Sequence, residues 1–472
     1  NSKIANFHSK GIDSQIAVEL TNHEYWDFSK NLIQTLDNFP SNPYLTRFNL
    51  SNNLIEIIDD IFGKYPLQHL NISHNSITKI QNIQNSMLGV LNLSNNRISV
   101  IENLETLNQL EYLNCSHNRV HSVVLFKPLQ ILAYIDLSFN PITSFSFSNL
   151  FPNLVYLSLD HCYLDSFSSI NNFHNLKYLI LSNNIICEDI VLNLPNLELL
   201  NVSSNKVSGF ESFEKLQSLK HLDISYNSIT DSSFSSLIKL DRLIYLNISG
   251  NAITNPMLIL NIFPNVQEYL FQDTLISDIQ VVILFLTNCH SVASLDLRNL
   301  EVTKNLYFDN DSYNSLEEYD KKYPINQSER KIYRNSILKI HKLKSLDGIL
   351  TDYELNELQS KLELIRKLCD EQNELRRLLN LSIISTSFID SLTNQNDINE
   401  YIERLTNENQ KLRSMTNENQ VHNDELGKLI EINKQLHRKL NHDYYTTFDN
   451  ETNVLKLIEL YKEDNKKLQM EI

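Results

Sequence analysis

The feature that most constrains this chain is an eleven-residue phrase that returns about every 22 residues. It reads LQHLNISHNSI from Leu67, LGVLNLSNNRI from Leu88, LEYLNCSHNRV from Leu110, LAYIDLSFNPI from Leu132 and LIYLNISGNAI from Leu243. One polar seat near its end falls at Asn31, Asn53, Asn75, Asn96, Asn118, Asn140, Cys162, Asn184, Asn205, Asn227 and Asn251. Thr274 and Leu300 close the series, which makes thirteen units, the last three more loosely spaced. A unit this short cannot bury its own apolar side chains, so it must stack on its neighbours. The alternating leucines then read as a three- or four-residue strand with its leucines turned inward. The Asn side chain bonds backbone groups that would be orphaned where the chain leaves the strand. Cys162 can hold that seat as a weak donor. Leu300 cannot, so an irregular turn is expected there. The segment IxxIxxLxxL that follows, as in Ile98, Ile101, Leu104 and Leu107, reads as a tight helical or 3₁₀ return.

These registers resemble the short, 22-residue class of leucine-rich repeats. That class occurs in the regulatory subunit of phosphatase-1 and in ciliary and centrosomal proteins. The resemblance implies an α/β horseshoe of about 13 repeats over residues 26–302, preceded by a cap at residues 1–25 in which SQIAVEL suggests a short helix and Trp26 takes the first inward position. A C-terminal cap is placed at residues 303–350, where Tyr333 and Arg334 lead to Ile337, Ile340, Leu343, Leu346, Asp347 and Gly348. His341 stands where such caps carry proline.

Beyond the cap the period changes. Thr351 and Glu354 form a capping box, and Leu355, Leu358, Leu362, Ile365 and Cys369 follow at heptad spacing, so residues 351–381 read as a helix. Residues 382–397, around the β-branched SIISTSF, read as a break. From 398 to 472 one position recurs every seventh residue, at Ile398, Leu405, Leu412, Asn419, Leu426, Asn433 and Leu440. This is a coiled-coil seam with charges in most other places, and it runs to the end of the sequence, as expected of a chain cut mid-coil. Asn419 and Asn433 in that seam favour a parallel partner with asparagines opposite, either a second copy or another subunit.

Composition removes several functions. The 7 glycines are never spaced to build a phosphate cradle. With 41 basic against 57 acidic residues, formally −16, the chain as a whole is drawn to neither nucleic acid nor an anionic membrane. No apolar run is long enough for a transmembrane helix. The 5 cysteines form no CxxC pair and leave one over, which points to a reducing, cytoplasmic compartment rather than a disulfide framework. The Asn-x-Ser triplets at Asn71, Asn92, Asn114, Asn201 and Asn247 argue the same way, because glycans there would cover the strands. His74, His117 and His161 share one repeat position without cysteine or carboxylate at ligand spacing, so no metal, cofactor or catalytic set is expected.

The binding residues are sought on the outward strand positions, the concave face of a solenoid. Tyr112, Tyr134, Tyr156 and Tyr178 occupy one such position on four successive strands, with Tyr245 further along and Phe139 and His161 at the strand ends. They are expected to stand outward, to contribute little to the leucine core, and to anchor a protein partner. A basic collar, Lys321, Lys322, Arg330, Lys331, Arg334, Lys339, Lys342 and Lys344 against Glu329 alone, is expected to meet an acidic surface. The layout of repeats, cap and coil resembles ciliary and centrosomal scaffold proteins. It implies a non-enzymatic component of an axoneme, basal body or centrosome in a microtubule-associated assembly. The other reading is a soluble adaptor holding a phosphatase or kinase in the concave face.

Overall fold

The computed structural model describes residues 4–13, residues 22–351 apart from 38, 212, 236 and 238, and residues 364, 367–369, 372 and 402–410. It divides into two compact units, Asn1–Ile349 and Leu350–Ile472.

The first unit is a parallel-strand solenoid. Its main sheet has 16 strands, ordered along the chain except where short strands of the return segments are left out. Most strands are three residues long, and the register never slips: Leu91 faces Leu113, Leu113 faces Ile135 and Leu157 faces Leu179. Their middle residues fill a single continuous core in which Leu91, Leu113, Ile135, Leu157 and Leu179 are wholly buried. Period 2 in the strand sends the residues on either side to the opposite face.

The polar seat does what its position demands. The amide nitrogen of Asn118 lies 3.0 Å from the carbonyls of Leu93 and Cys115 and 3.1 Å from that of Ser116, while its oxygen accepts the N–H of Ile98 at 2.9 Å. One side chain thus closes its own turn and ties it to the unit before. The same bonding recurs from Asn31, which accepts N–H groups from Lys10 and Ile12, through Asn251. At Cys162 only the donor half survives, with the thiol 3.6 Å from the Leu137 carbonyl, and the N–H of Ile142 turns instead to the Asn140 carbonyl at 2.9 Å. At Leu300 the turn is irregular, as its side chain requires. The hydroxyl of Thr303 takes over, donating to the Leu297 carbonyl at 2.5 Å and accepting from the Leu300 N–H at 3.1 Å.

The proposed N-terminal cap helix, SQIAVEL, lies outside the described residues, while the cap contributes a strand, Ile4–Asn6, paired with Tyr25–Asp27. One expectation is corrected, that of the return segments. The return segments are not uniformly helical, so the architecture is a β-solenoid more than an α/β horseshoe. Val100–Glu102 pairs with Ser122–Val124, and Ile190–Val191 with Phe210–Glu211, in small sheets of their own, because β-branched and aromatic residues there favour extended backbone. Among the described residues of the solenoid, α-helix enters the returns only late, at Met257–Leu260 and Ile279–Asn288. The C-terminal cap, in contrast, is helical at Leu316–Lys322 and Gln327–Leu338, before strands Ser345–Leu346 and Ile349–Leu350 close the sheet.

In the second unit residues 402–410 are helical, and Asn409 donates to the Leu368 carbonyl at 2.9 Å, so this helix lies against the stretch around 367–369 of its own chain. Asn419 and Asn433 lie outside the described residues.

Because Cys162 replaces the acceptor that ties each unit to the last, Cys162→Asn is expected to stabilise the solenoid by about 1 kcal/mol. Asn118→Ala, which orphans several backbone groups, should cost about 2–3 kcal/mol. Urea unfolding of both variants against the parent checks the opposite signs.

Candidate interaction face

The residues before and after each core leucine build the outer face of the main sheet. The later of these two positions is Asp27, Asn49, Asn71, Asn92, Asn114, Asp136, Asn201, Asp223 or Asn247 in most units. In each of these its side-chain oxygen accepts the N–H of a residue two positions on, as Asn71 does from Ser73 at 3.0 Å and Asp136 from Ser138 at 2.9 Å. The Asn-x-Ser triplets are therefore Asx turns that end the strands. Aspartate substitutes freely at this position, so an acceptor oxygen is what the seat requires. The recurrence of Asp-x-Ser at Asp27, Asp136 and Asp223 was the sequence signal that could have shown it.

The earlier position carries the tyrosines. Tyr112, Tyr134, Tyr156 and Tyr178 sit directly across from one another on successive strands. The first three form a column, with ring centroids 4.4 Å apart between Tyr112 and Tyr134 and 4.1 Å between Tyr134 and Tyr156, nearly parallel. Tyr178 leans away at 6.5 Å and 35°, and Tyr245 stands apart beside His221. None of these rings belongs to the leucine core, but they are not free anchors. Tyr112 is 1% and Tyr134 5% exposed, whereas Tyr156, Tyr178 and Tyr245 are half-buried. A strand spacing near 5 Å brings flat rings into contact face to face, so each covers its neighbour. Burial also pushes the Tyr134 and Tyr156 phenols up, the latter to about 12, and both hydroxyls stay neutral. Burial likewise raises the carboxyl of Asp136.

A second column runs along the strand ends. The residue before each polar seat turns the chain outward with a positive φ, among them Asn52, His74, Asn95, His117, Phe139, His161, Asn183, Ser204, Tyr226 and Asn299. Asparagine suits this left-handed conformation, but phenylalanine does not. Phe139, at φ 56°, is sandwiched between His117 at 4.1 Å and His161 at 4.2 Å. Further along, Tyr226 crosses over Gly250 to donate to Asp273 at 2.7 Å. A Cβ on Gly250 would lie 2.3 Å from that ring, and φ there is 68°, so both space and backbone demand glycine.

Asp160 departs from the pattern, standing where neighbouring units have serine. It accepts from the Ser182 hydroxyl at 2.6 Å and the Asn183 amide at 2.9 Å, and pairs with His161 at 2.8 Å. Burial alone would raise its carboxyl, but the hydrogen bonds from Asn183, Ser182 and His161 prevail and hold it below the ordinary carboxylate range.

The basic collar is only partly a surface. Arg330 is wholly buried, bonding Asp320 and the carbonyls of Leu306 at 2.7 Å and Ile325 at 2.8 Å with Tyr319 4.7 Å from its guanidinium. Arg334 is buried against the Leu346 carbonyl at 2.7 Å, and Lys322 is held by Asp309 at 3.0 Å and the Tyr313 hydroxyl at 2.6 Å. The cause is the cap itself, whose helices end the core and leave carbonyls that only long cationic side chains reach. Lys321, Lys331, Lys339, Lys342 and Lys344 remain exposed. Beside the arginines lies buried Asp347, which accepts the Leu297 N–H at 2.8 Å. Burial, and then Asp296, push its carboxyl up to about 6.

Among the described residues no three His, Cys, Asp or Glu side chains are grouped to hold a metal ion, and no helix is long and apolar enough to cross a membrane. The model of the leucine rich repeat matches residues 195–253. No curated protein matches the sequence. Among solved structures, an internalin from Listeria monocytogenes shares 20% identity over 69% of this chain and 86% of its own, with a TM-score of 0.52. A leucine-rich-repeat protein of Leptospira interrogans shares 20% over 73% of this chain and 95% of its own, with a TM-score of 0.51. The solenoid therefore has the leucine-rich-repeat fold.

Two outcomes follow. Tyr134→Ala opens a gap in the middle of a buried column and should destabilise by about 3 kcal/mol, while Tyr134→Phe, which keeps the stack, should cost under about 1 kcal/mol, both by chemical denaturation. For Asp347 the folded state holds a proton that the unfolded chain releases, so its contribution to stability falls between about pH 4 and pH 6 and stays low above that. Asp347→Asn should remove that fall, on the order of 1–3 kcal/mol, when thermal unfolding of parent and variant is compared at pH 4.5 and pH 7.

Proposed function

We propose that this protein is a non-enzymatic scaffold that binds protein partners through the outer face of its sheet around the tyrosine column. The observation that carries this reading is the column itself. Large rings are gathered on the face opposite the leucine core, where a solenoid offers an extended surface, and Tyr156, Tyr178 and Tyr245 retain exposed area beside it. Tyrosine combines apolar area with a polar tip and little rotamer entropy, which suits it to recognition.

The setting proposed for the scaffold is a cilium, basal body or centrosome, and its support is the resemblance in layout of repeats, cap and heptad-patterned extension. A tagged full chain is expected at axonemes or centrioles. Diffuse signal with none at those structures would overturn the setting. Under gentle affinity capture, structural proteins should dominate, and Tyr156→Ala with Tyr245→Ala should lose them while the melting temperature moves by only a few degrees. A kinase or phosphatase as the dominant captured protein would favour an adaptor over a scaffold.

A further inference from the structure

The units around Phe139 and His161 break the repeat pattern in three seats at once. Phe139 occupies a left-handed seat that this chain gives in most units to Asn, His or Ser, and to an aromatic ring without a nitrogen otherwise only at Tyr226. Asp160 takes a serine's place, and Cys162 an asparagine's. None of the three substitutions serves the core better than the ordinary residue. Phe139 never enters it and is 40% exposed, at a backbone conformation that penalises its side chain. On the same edge of the sheet Tyr163 is 57% and Ile185 50% exposed, next to Pro141 and the exposed His161. An apolar, aromatic edge thus surrounds a carboxylate held in its charged form.

The units of this edge are acidic, with cations at their borders: exposed Arg119 and Lys206 stand at the edge position in the units just before Pro141 and just after Ile185. Residues 128–200 contain a single cation, Lys177, against Asp136, Asp160, Asp165, Glu188, Asp189 and Glu198. Lys177 lies 3.5 Å from Glu198, so it does not offset the charge at the edge. A matching ligand needs positive charge on an apolar stem, and needs to present it to a fixed carboxylate. Arginine meets both requirements. Its guanidinium fits a carboxylate in a planar fork, and its methylene stem covers apolar rings while the head stays solvated.

We infer that the ridge formed by Phe139, His161, Tyr163 and Asp160 binds an arginine-bearing segment of a protein partner. The guanidinium pairs with Asp160, and the stem lies across the exposed edges of the Phe139 and Tyr163 rings. This deepens the scaffold reading and rests on it, because it gives the chemistry of one partner contact beside the tyrosine column.

The test uses the full chain and a capped, fluorescein-labelled glycine peptide carrying three arginines, with lysine and glutamate counterparts, followed by fluorescence anisotropy at low and moderate salt. The arginine peptide should bind, more weakly as salt rises, and the glutamate peptide should not. Phe139→Asn and Asp160→Ser restore residues this chain already uses in those seats, so both should fold, Phe139→Asn with an unchanged or higher melting temperature and Asp160→Ser with a somewhat lower one, since it gives up the bonds from Ser182, Asn183 and His161. Each should weaken the arginine peptide about tenfold, the scale of one lost charge-assisted or apolar contact. Equal binding by the parent and both folded variants, or no binding by the parent, would overturn the proposal. Lysine peptide bound as tightly as arginine would overturn the assignment to a guanidinium. The double variant Tyr156→Ala with Tyr245→Ala separates the two readings. Loss of captured partners with arginine binding intact supports the ridge as an independent contact. Loss of captured partners in a chain that never binds the arginine peptide overturns the ridge alone.

Discussion

The solenoid depends on one side-chain amide at the same seat in ten of its thirteen units. A strand of three residues is too short to leave the sheet without stranding backbone N–H and carbonyl groups in an apolar interior. The asparagine side chain reaches carbonyls of its own turn and of the unit before, and accepts an N–H from that earlier unit as well. The leucine core supplies most of the favourable burial, but any hydrophobic chain could do that. The amide is what makes a 22-residue period the stable one, because it bonds correctly only when the next strand lies directly alongside.

With the inner side fixed in this way, the outer side is free to vary, and its variation is where chemistry can reside. Acceptor side chains at the strand ends still have a structural task, since they close the Asx turns. The tyrosine position has none of that kind, and three of its four successive aromatic residues form a column because the strand spacing brings flat rings into face-to-face contact. The left-handed seat shows the same logic. Most units fill it with residues that tolerate it, and the one phenylalanine is held by imidazoles above and below.

Much of this was legible in the letters alone. The period, the number of units, the inward leucines and the special difficulty at Leu300 all follow from spacing, because a solenoid translates linear order into spatial order without long-range surprises. Exposure was harder to read. Tyr112 and Tyr134 point away from the core, yet they are buried by each other, a contact between residues 22 apart that alternation within a strand does not report. Arg330 and Arg334 look like surface charge in a basic stretch and are instead buried ties in the cap, because whether a cation faces solvent depends on which helix packs over it. The return segments fell between helix and extended chain, since a run of apolar residues at every third place satisfies a 3₁₀ turn and a short strand alike.

The interrupted rung at Cys162 has a mechanical meaning. In a stack where each unit bonds only to its neighbours, stiffness and cooperativity are set by the weakest junction. The half-made bonding there leaves the junction toward the Asn140 unit with fewer cross-ties than the junctions on either side. Strain applied along the solenoid would concentrate at such joints, and this one borders both the aromatic ridge and the tyrosine column. Of the seats that lack the asparagine, Cys162, Thr274 and Leu300, Cys162 alone falls inside the aromatic stretch, so the loosened tie lies where a partner would press.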